Sequence, residues 1–444
     1  MSSDWRLTTL GQICSAQAGA IQTGPFGSQL HTSDYKKIGI PVVMPTNIGD
    51  GDIDVNGIAR IGQNDVERLG QHKLQLDDIV FSRRGDVTKN ALIRAHEVGW
   101  LCGTGCLKVR LGTNSIAAPK FVSYYLRLPG IKEWLIRHAV GATMPNLNTG
   151  ILSAVPIRLP PLGVQNNIAD MLGSLDDRIT LLRETNSTLE SIAQAIFKSW
   201  FVDFDPVHAK MEGRAPEGMD EATAALFPDG FEESELGLVP RGWRIGSVGD
   251  LATLMKGSVN PGLHSKTIFE HFSLPAYDNN QQPVEESGAS IKSNKTPIPD
   301  NVVLLSKLNP RIPRIWIPMS CGPNAICSTE FLVFQPTALA GKEFIFCLFS
   351  CPLFISKLQQ LVTGTSNSHQ RIKPDQVSAI RCVLPQPRIA ERFQSLAKPI
   401  FEKTYVSRLQ AKSLNDVRDA LLPRLISGQL RIPEAEPVTE GIGA

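Results

Sequence analysis

LSAVPIRLPPLGVQ at 152–165 and QVSAIRCVLPQPRIAE at 376–391 are near-copies within one chain of 444 residues. Ser153-Ala154-Val155 stands against Ser378-Ala379-Ile380, an offset of 225. Self-similarity at a fixed period decides architecture before any motif does, so the first question is how far the echo extends. It runs through most of the chain. IVFSR at 79–83 matches VLLSK at 303–307 at an offset of 224, and Cys102-x-Thr104 matches Cys327-x-Thr329 at 225. Pro129 and Gly141 match Pro352 and Gly364 at 223, and Trp5-Arg6-Leu7 matches Trp243-Arg244-Ile245 at 238. The first half therefore carries about 14 additional residues between its tryptophan and its IVFSR segment, which marks a variable region. At roughly 100–200 residues per domain the length suits two or three domains, each able to bury its own core.

Within each half the apolar segments are short, rich in Val, Ile and Phe, and punctuated by Gly, Pro, Asn and Asp, as in GIPVVMPTNIGDGDI and LDDIVFSRRGD. That pattern predicts strands and turns, interrupted by helical stretches at 119–137 and 343–361. Each half reads as α+β.

After Pro161 the period changes. Ile168, Leu172, Leu175, Ile179, Leu182, Asn186, Leu189, Ala193, Ile196 and Trp200 follow one another three and four apart, the signature of a long helix packed along a partner helix. Asn186 is the polar member of this seam, a place where asparagine fixes register at some cost in stability. A helix over 165–201 would span about 55 Å at 1.5 Å per residue. Its partner is expected at the same place in the second repeat. There Phe393, Leu396 and Ile400 open the pattern, and Leu414, Val417, Leu421 and Leu425 close it. Lys403, Thr404, Ser407, Gln410 and Ala411 dilute the middle, and Pro399 is expected to kink the helix. An acidic connector with Pro and Gly gives the second helix room to return antiparallel to the first.

The expected organisation is a first domain at 1–164, a spacer helix at 165–204, an acidic linker at 205–239, a second domain at 240–386, a second spacer helix at 387–428 and a tail at 429–444. The net charge of +2 divides unevenly along these boundaries. Residues 1–164 hold 17 Lys+Arg against 12 Asp+Glu, and 240–385 hold 14 against 9. The stretch 165–239 holds 5 against 15. Two basic halves separated by an acidic connector fit a polyanion binder, although this excess also fits an ordinary soluble surface.

The eight cysteines lack CxxC spacing and the chain opens MSSDWRLTTL without the apolar stretch of a secretory signal, so reduced, mostly buried thiols in a cytoplasmic protein are expected. No apolar run approaches the ~18–20 residues of a membrane span. Catalytic machinery is missing as well. GSVNPGLHS at 257–265 has P-loop glycine spacing, but Leu263 and His264 replace the lysine and hydroxyl that hold phosphate and magnesium. GxGxxG, HExxH and GxSxG are absent, the histidines are scattered, and Asp77-Asp78 and Asp176-Asp177 are explained by caps and solvated faces.

Basic turns recur instead. Arg83, Arg84 and Lys89 follow the IVFSR segment, and Lys307, Arg311 and Arg314 follow its counterpart in SKLNPRIPRIW. Arginine can make bidentate contacts to guanine and lysine can meet phosphate, so matching basic turns suit a DNA-reading surface present twice, against the plainer reading of solvated loop charges. TGPFGSQ at 23–29 and TSNSHQ at 365–370 are further polar turns able to face DNA.

TGPFGSQL, DDIVFSRRGDV, GWLCGTGCLKVR, GATMPNLN leading to VPIRLPPLGVQ, IFKSWFVDFDPVHAKMEGR, SKLNPRIPRIW and the closing LLPRLISGQL together resemble the specificity subunit of Type I restriction-modification systems, over nearly the whole chain. The resemblance implies two target recognition domains, each reading one part of a split double-stranded DNA target, joined by two antiparallel helices. It implies no catalysis and no cofactor on this chain. Two modification subunits would supply adenine-N6 methylation with S-adenosylmethionine, and two restriction subunits would add an ATP-driven motor and a nuclease, with Mg. Two rivals differ in what they require. A DNA-modifying or cutting enzyme needs an [DN]PP[FYW] or PD-(D/E)xK motif, and neither is present; a coiled-coil adaptor leaves the two duplicated basic domains unexplained.

Overall fold

The computed structural model describes residues 5–113, 115–141, 144–362 and 370–432. The chain divides into two compact units, one of residues 1–179 with 413–444 and the other of residues 180–412. Each unit therefore owns one half of each long helix.

In the first unit, β1 (Ala18–Thr23), β2 (Asp50–Gly51), β3 (Ile79–Ser82), β4 (Asn90–Leu92) and β5 (Cys106–Gly112) form a sheet in the order β1-β5-β3-β4-β2. Residues of β3 are buried on both faces, Phe81 against the helices and Val80 against a second core, as alternation along a strand dictates. Helix α1 (Pro119–Leu126), opened by proline in its first turn, buries Phe121, Val122 and Leu126 on this sheet. A second, four-stranded sheet is built from 35–36, 59–61, 40–43 and 101–102.

The echo that opened the sequence reading closes each domain. Pro156–Leu159 pairs antiparallel with Arg6–Thr9, and Arg381–Leu384 pairs with Arg244–Ser247. Each exit strand is thus tied to the first strand of its own domain and then released directly into a long helix. Gln165 fixes the start of the first, its Oε1 accepting from Ala118 N at 2.9 Å and its Nε2 donating to Pro160 O at 2.8 Å.

That helix, α2, covers Leu162–Phe201, 40 residues. The acidic stretch that follows is folded onto the second unit. It forms α3 (Asp205–Met211), α4 (Glu221–Ala225) and a hairpin of β6 (Phe231–Ser234) and β7 (Gly237–Pro240). Lys210 Nζ reaches Phe227 O at 2.5 Å, and Val207 and Phe227 join the core of the second unit.

The second unit repeats the first sheet. β8 (Ala252–Met255), β9 (Val303–Ser306), β10 (Ile315–Trp316) and β11 (Phe331–Pro336) stand in the order β8-β11-β9-β10, matching β1-β5-β3-β4. Helix α5 (Lys342–Ser350) takes the place of α1, with Phe344 and Phe349 fully buried. A second sheet holds 284–287, 268–272, 325–328 and 295–297.

Helix α6 (Pro387–Ile426) is also 40 residues long, and both of its ends lie 225 residues beyond those of α2. It continues through Pro399, expected to kink it, as a single helix. In the second unit Phe197 and Phe201 of α2 meet Phe393 of α6 at ring separations of 5.7 and 5.4 Å. In the first unit Ile168, Ala169 and Leu172 of α2 share a core with Leu422, Leu425 and Ile426 of α6. Within each unit the helix halves run in opposite directions. The protein is thus an α+β fold with an internal repeat, its two domains joined by a long antiparallel helix pair.

Ile168, Leu172, Ile179, Leu182 and Asn186 are buried along α2, while Leu175, Leu189 and Ile196 are half-buried. On α6, Leu414 and Leu421 are half-buried and Val417 is exposed. In the middle of α6 the buried residues are Thr404, Ser407 and Ala411, the same small and polar side chains that weaken the apolar pattern. Small side chains can line a close helix contact without an apolar signal. Among the described residues no helix is long and apolar enough to cross a membrane.

Candidate nucleic-acid interface

One end of the first sheet gathers three chain segments. β1 ends at Thr23 and β3 at Ser82, and β5, which lies between them, begins at Cys106. Gly24 N donates to Cys106 O at 2.9 Å and Arg83 N to Gly105 O at 2.8 Å, so the two exits are pinned to neighbouring carbonyls. Ser82 Oγ donates to Arg84 O at 2.7 Å, and Gly85 takes a left-handed φ of 79°, which turns the chain back toward β4. The returning segment crosses this end: Leu147 N donates to Arg83 O at 2.9 Å and Asn146 bridges Arg84.

The second unit builds the same corner from different side chains. Ser306 Oγ donates to Leu308 O at 3.1 Å, Lys307 N to Glu330 O at 2.9 Å, and Ile372 N to Lys307 O at 3.0 Å, while Leu308 bridges Arg371. Asn309 takes the place of Gly85 with φ of 49°, a conformation asparagine tolerates better than most residues. Ser82 N donates to Lys89 O at 3.2 Å and Ser306 N to Arg314 O at 2.9 Å, so Lys89 and Arg314 are equivalent backbone positions.

The structure therefore brings Arg83, Arg84 and Lys89 together at one sheet end, and Lys307 and Arg314 at its equivalent. Arg84, Lys89 and Arg311 are exposed, and none of these three or of Arg83 and Lys307 makes an ion pair among the described residues. Arg83 is half-buried, with Nε directed at Asn146 Oδ1 at 3.3 Å. Arg314 differs. Its guanidinium is committed to Asp278 through contacts of 2.7 and 2.9 Å, and these hydrogen bonds push it still further above its already high range. Arg371 makes a comparable fork with Glu330 at 3.1 and 3.0 Å.

Sequence reading passed over Lys256, exposed at the exit of β8, and Arg371 on the crossing segment. The repeat offered a signal for both, since β1 matches β8 and the GATMPNLN segment matches the stretch ending at Arg371. Of the turns read as possible DNA contacts, residues 365–369 lie outside the described residues, as do 142 and 143 in GATMPNLN. TGPFGSQ lies at the exit of β1.

Two α+β units thus carry basic residues at the same sheet end, and each is closed by halves of the two long helices. Residues 2–191 match the family model described as Type I restriction modification DNA specificity domain. The chain is 26% identical over 437 residues to the Type I restriction enzyme HindI specificity subunit of Haemophilus influenzae, covering 86% of this chain and 94% of that protein. It is 25% identical over 329 residues to the MjaIX specificity subunit of Methanocaldococcus jannaschii, covering 71% of this chain and 70% of that protein. Its fold is similar to the crystal structure of a Type I restriction-modification S subunit from M. genitalium, with TM-score 0.54 and 14% identity over 95% of this chain and 96% of that one. The chain is thus similar, in residues 2–191 by family model and over most of its length by sequence, to specificity subunits of Type I restriction-modification systems.

Proposed function

We propose that this chain is the DNA-reading subunit of a Type I complex, its two domains each recognising one part of a bipartite duplex target. Catalysis lies with its partners: two modification subunits that methylate adenine N6 with S-adenosylmethionine, and two restriction subunits that use ATP and Mg. The complex works in the cytoplasm, where it meets DNA directly. The observation that carries the reading is the duplicated corner, in which one set of backbone bonds holds Arg83-Arg84 in the first domain and Lys307-Leu308 in the second. Cations held at the end of a rigid sheet suit phosphate contacts that fix register and arginine contacts that read bases. Arg83, Arg84, Lys89, Lys307 and Arg311 are assigned to DNA, and Arg314 to bracing its own loop through Asp278.

The test is to map N6-methyladenine in a host expressing this chain with its modification subunit. A split motif that appears only when both are present is expected. Methylation that is unchanged by removal of this chain, or methyl transfer by the purified chain alone, would overturn the reading.

A further inference from the structure

Phe26 is 58% exposed, an unfavourable setting for a large aromatic side chain on a turn held this firmly. Phe26 N donates to Gln29 Oε1 at 3.0 Å, while Phe26 O accepts from Gln29 N at 2.9 Å and from Leu30 N at 3.3 Å. Arg68 Nη1 donates to Gln29 O at 2.7 Å and is itself braced by Asp65 at 2.9 Å. On the other side of the ring, Pro25 restricts the backbone, and Gly24 lies so close to the β5 turn that a Cβ there would come within 2.0 Å of Gly103 O. The ring is thus presented to solvent by a pre-ordered turn.

Basic residues share its sheet end. The turn leaves the same sheet end as Arg83 and Arg84, because Gly24 N and Arg83 N bond to the adjacent carbonyls of Cys106 and Gly105. Lys89 precedes β4 at that same end. The nearest carboxylate on the basic loop, Asp86, accepts from Thr88 N at 3.1 Å and Thr88 Oγ1 at 2.6 Å. Two more exposed apolar side chains stand beside the Arg84 bridge: Val140, whose N donates to Asn146 O at 3.0 Å, and Met144. An apolar tip that shares a sheet end with cations making no ion pair among the described residues is complementary to duplex DNA, where phosphates meet the cations and base edges, including thymine methyl groups, meet apolar carbon.

We propose that Phe26 is a specificity-determining residue of the first domain, its ring packing against bases of the half-site that this domain reads. The proposal rests on the assignment of this sheet end to DNA. Phosphate contacts release counterions and steepen the salt dependence, whereas an aromatic contact to bases adds affinity without changing the slope. The two kinds of contact therefore leave different signatures.

The experiment uses the full-length chain assembled with its modification subunits. It measures binding to the mapped target and to a duplex whose first half-site is scrambled, over a range of salt. Phe26→Ala is expected to weaken binding to the mapped target about tenfold or more, to change binding to the scrambled duplex less than about twofold, and to leave the salt slope unaltered. Phe26→Leu should recover part of the loss. Arg83→Ala with Arg84→Ala is the control for the interface itself, and should reduce the slope. If the double variant lowers affinity and slope but Phe26→Ala binds normally, the role of Phe26 is refuted and the interface stands. If neither changes binding, the interface assignment fails with it. If Phe26→Ala instead prevents assembly with the modification subunits, the ring docks on protein and the proposal is wrong.

Discussion

Arg418 Nη1 donates to Asp176 Oδ1 at 2.7 Å, joining the last turns of α6 to the first turns of α2 within the first unit. Tyr124 donates its hydroxyl to the other oxygen of Asp176 at 2.7 Å, and Arg127 lies 3.7 Å from it with its guanidinium 4.2 Å over the Tyr124 ring. At the equivalent place in the second unit stands Phe401, 225 residues beyond Asp176, which packs on Phe346 at 5.1 Å. Aromatic packing thus stands at the place of Asp176, while the second unit ties α2 to α6 by charge elsewhere, through Glu190 and Arg408.

Removing one partner of a buried pair leaves the other charge stranded, at a cost of about 3–5 kcal/mol. Arg127 remains near Asp176, so Arg418→Ala is expected at the lower end, about 3 kcal/mol, in urea unfolding. Asp176→Ala with Arg418→Ala should cost less than the two single losses together, by more than about 0.5 kcal/mol. Strictly additive losses would show that the node does not act as a unit.

The basic corners make a different demand. Arg83→Ala with Arg84→Ala, or Lys307→Ala with Arg311→Ala, is expected to weaken DNA binding by the assembled methyltransferase, each lost phosphate contact lowering the salt slope by about one unit. Arg314→Ala should behave otherwise. It unmakes the Asp278 fork, so thermal stability falls while the salt slope is kept. Normal affinity and slope in the folded double variants would reduce these loops to solvated charge.

A pH effect is expected in the acidic connector. The Thr223 hydroxyl and amide, then the Arg392 guanidinium at 2.8 Å, hold Asp220 down from the ordinary 3.8 to about 2. A folded-state value below the unfolded one contributes stability that is complete above about pH 4 and lost as the pH falls toward 2. Hydrogen exchange across α4 should therefore accelerate over that interval, and Asp220→Asn should accelerate it already at neutral pH and remove the pH dependence. Identical exchange in the variant would mean that the contact does not hold the connector.

The helix pair and the duplicated α+β domains were legible because both rest on spacing, which a single sequence displays. The offset of 225 between Ser153 and Ser378 reappears as the offset between the ends of α2 and α6. Contacts between distant residues left no such trace. Asp176 was expected on a solvated face, yet it is only 15% exposed, because its partner Arg418 lies 242 residues away. Likewise nothing near Arg314 in sequence announces Asp278, 36 residues earlier, so a braced arginine and an available one read alike.

The repeat also bears on a half-length chain ending near Arg214. Such a fragment keeps one domain and α2, and two copies could pair their helices as α2 and α6 do, with closed two-fold symmetry demanding an inverted repeat of the first half-site. Given the modification subunit, the fragment is expected to methylate that palindrome. The copy is imperfect at one informative place. Ala193 stands 225 residues before Arg418, so in a fragment dimer Asp176 would face alanine where the intact chain supplies a guanidinium. The fragment dimer should accordingly be weak, and Ala193→Arg should tighten it, with Asp176→Asn abolishing the gain. Sedimentation over a range of concentrations measures the first effect and methylation mapping the second. A fragment that dimerises and binds its modification subunit but modifies only an asymmetric site would refute the equivalence of the two domains. Dimers indifferent to residue 193 would show that the charged node has no part in the pairing.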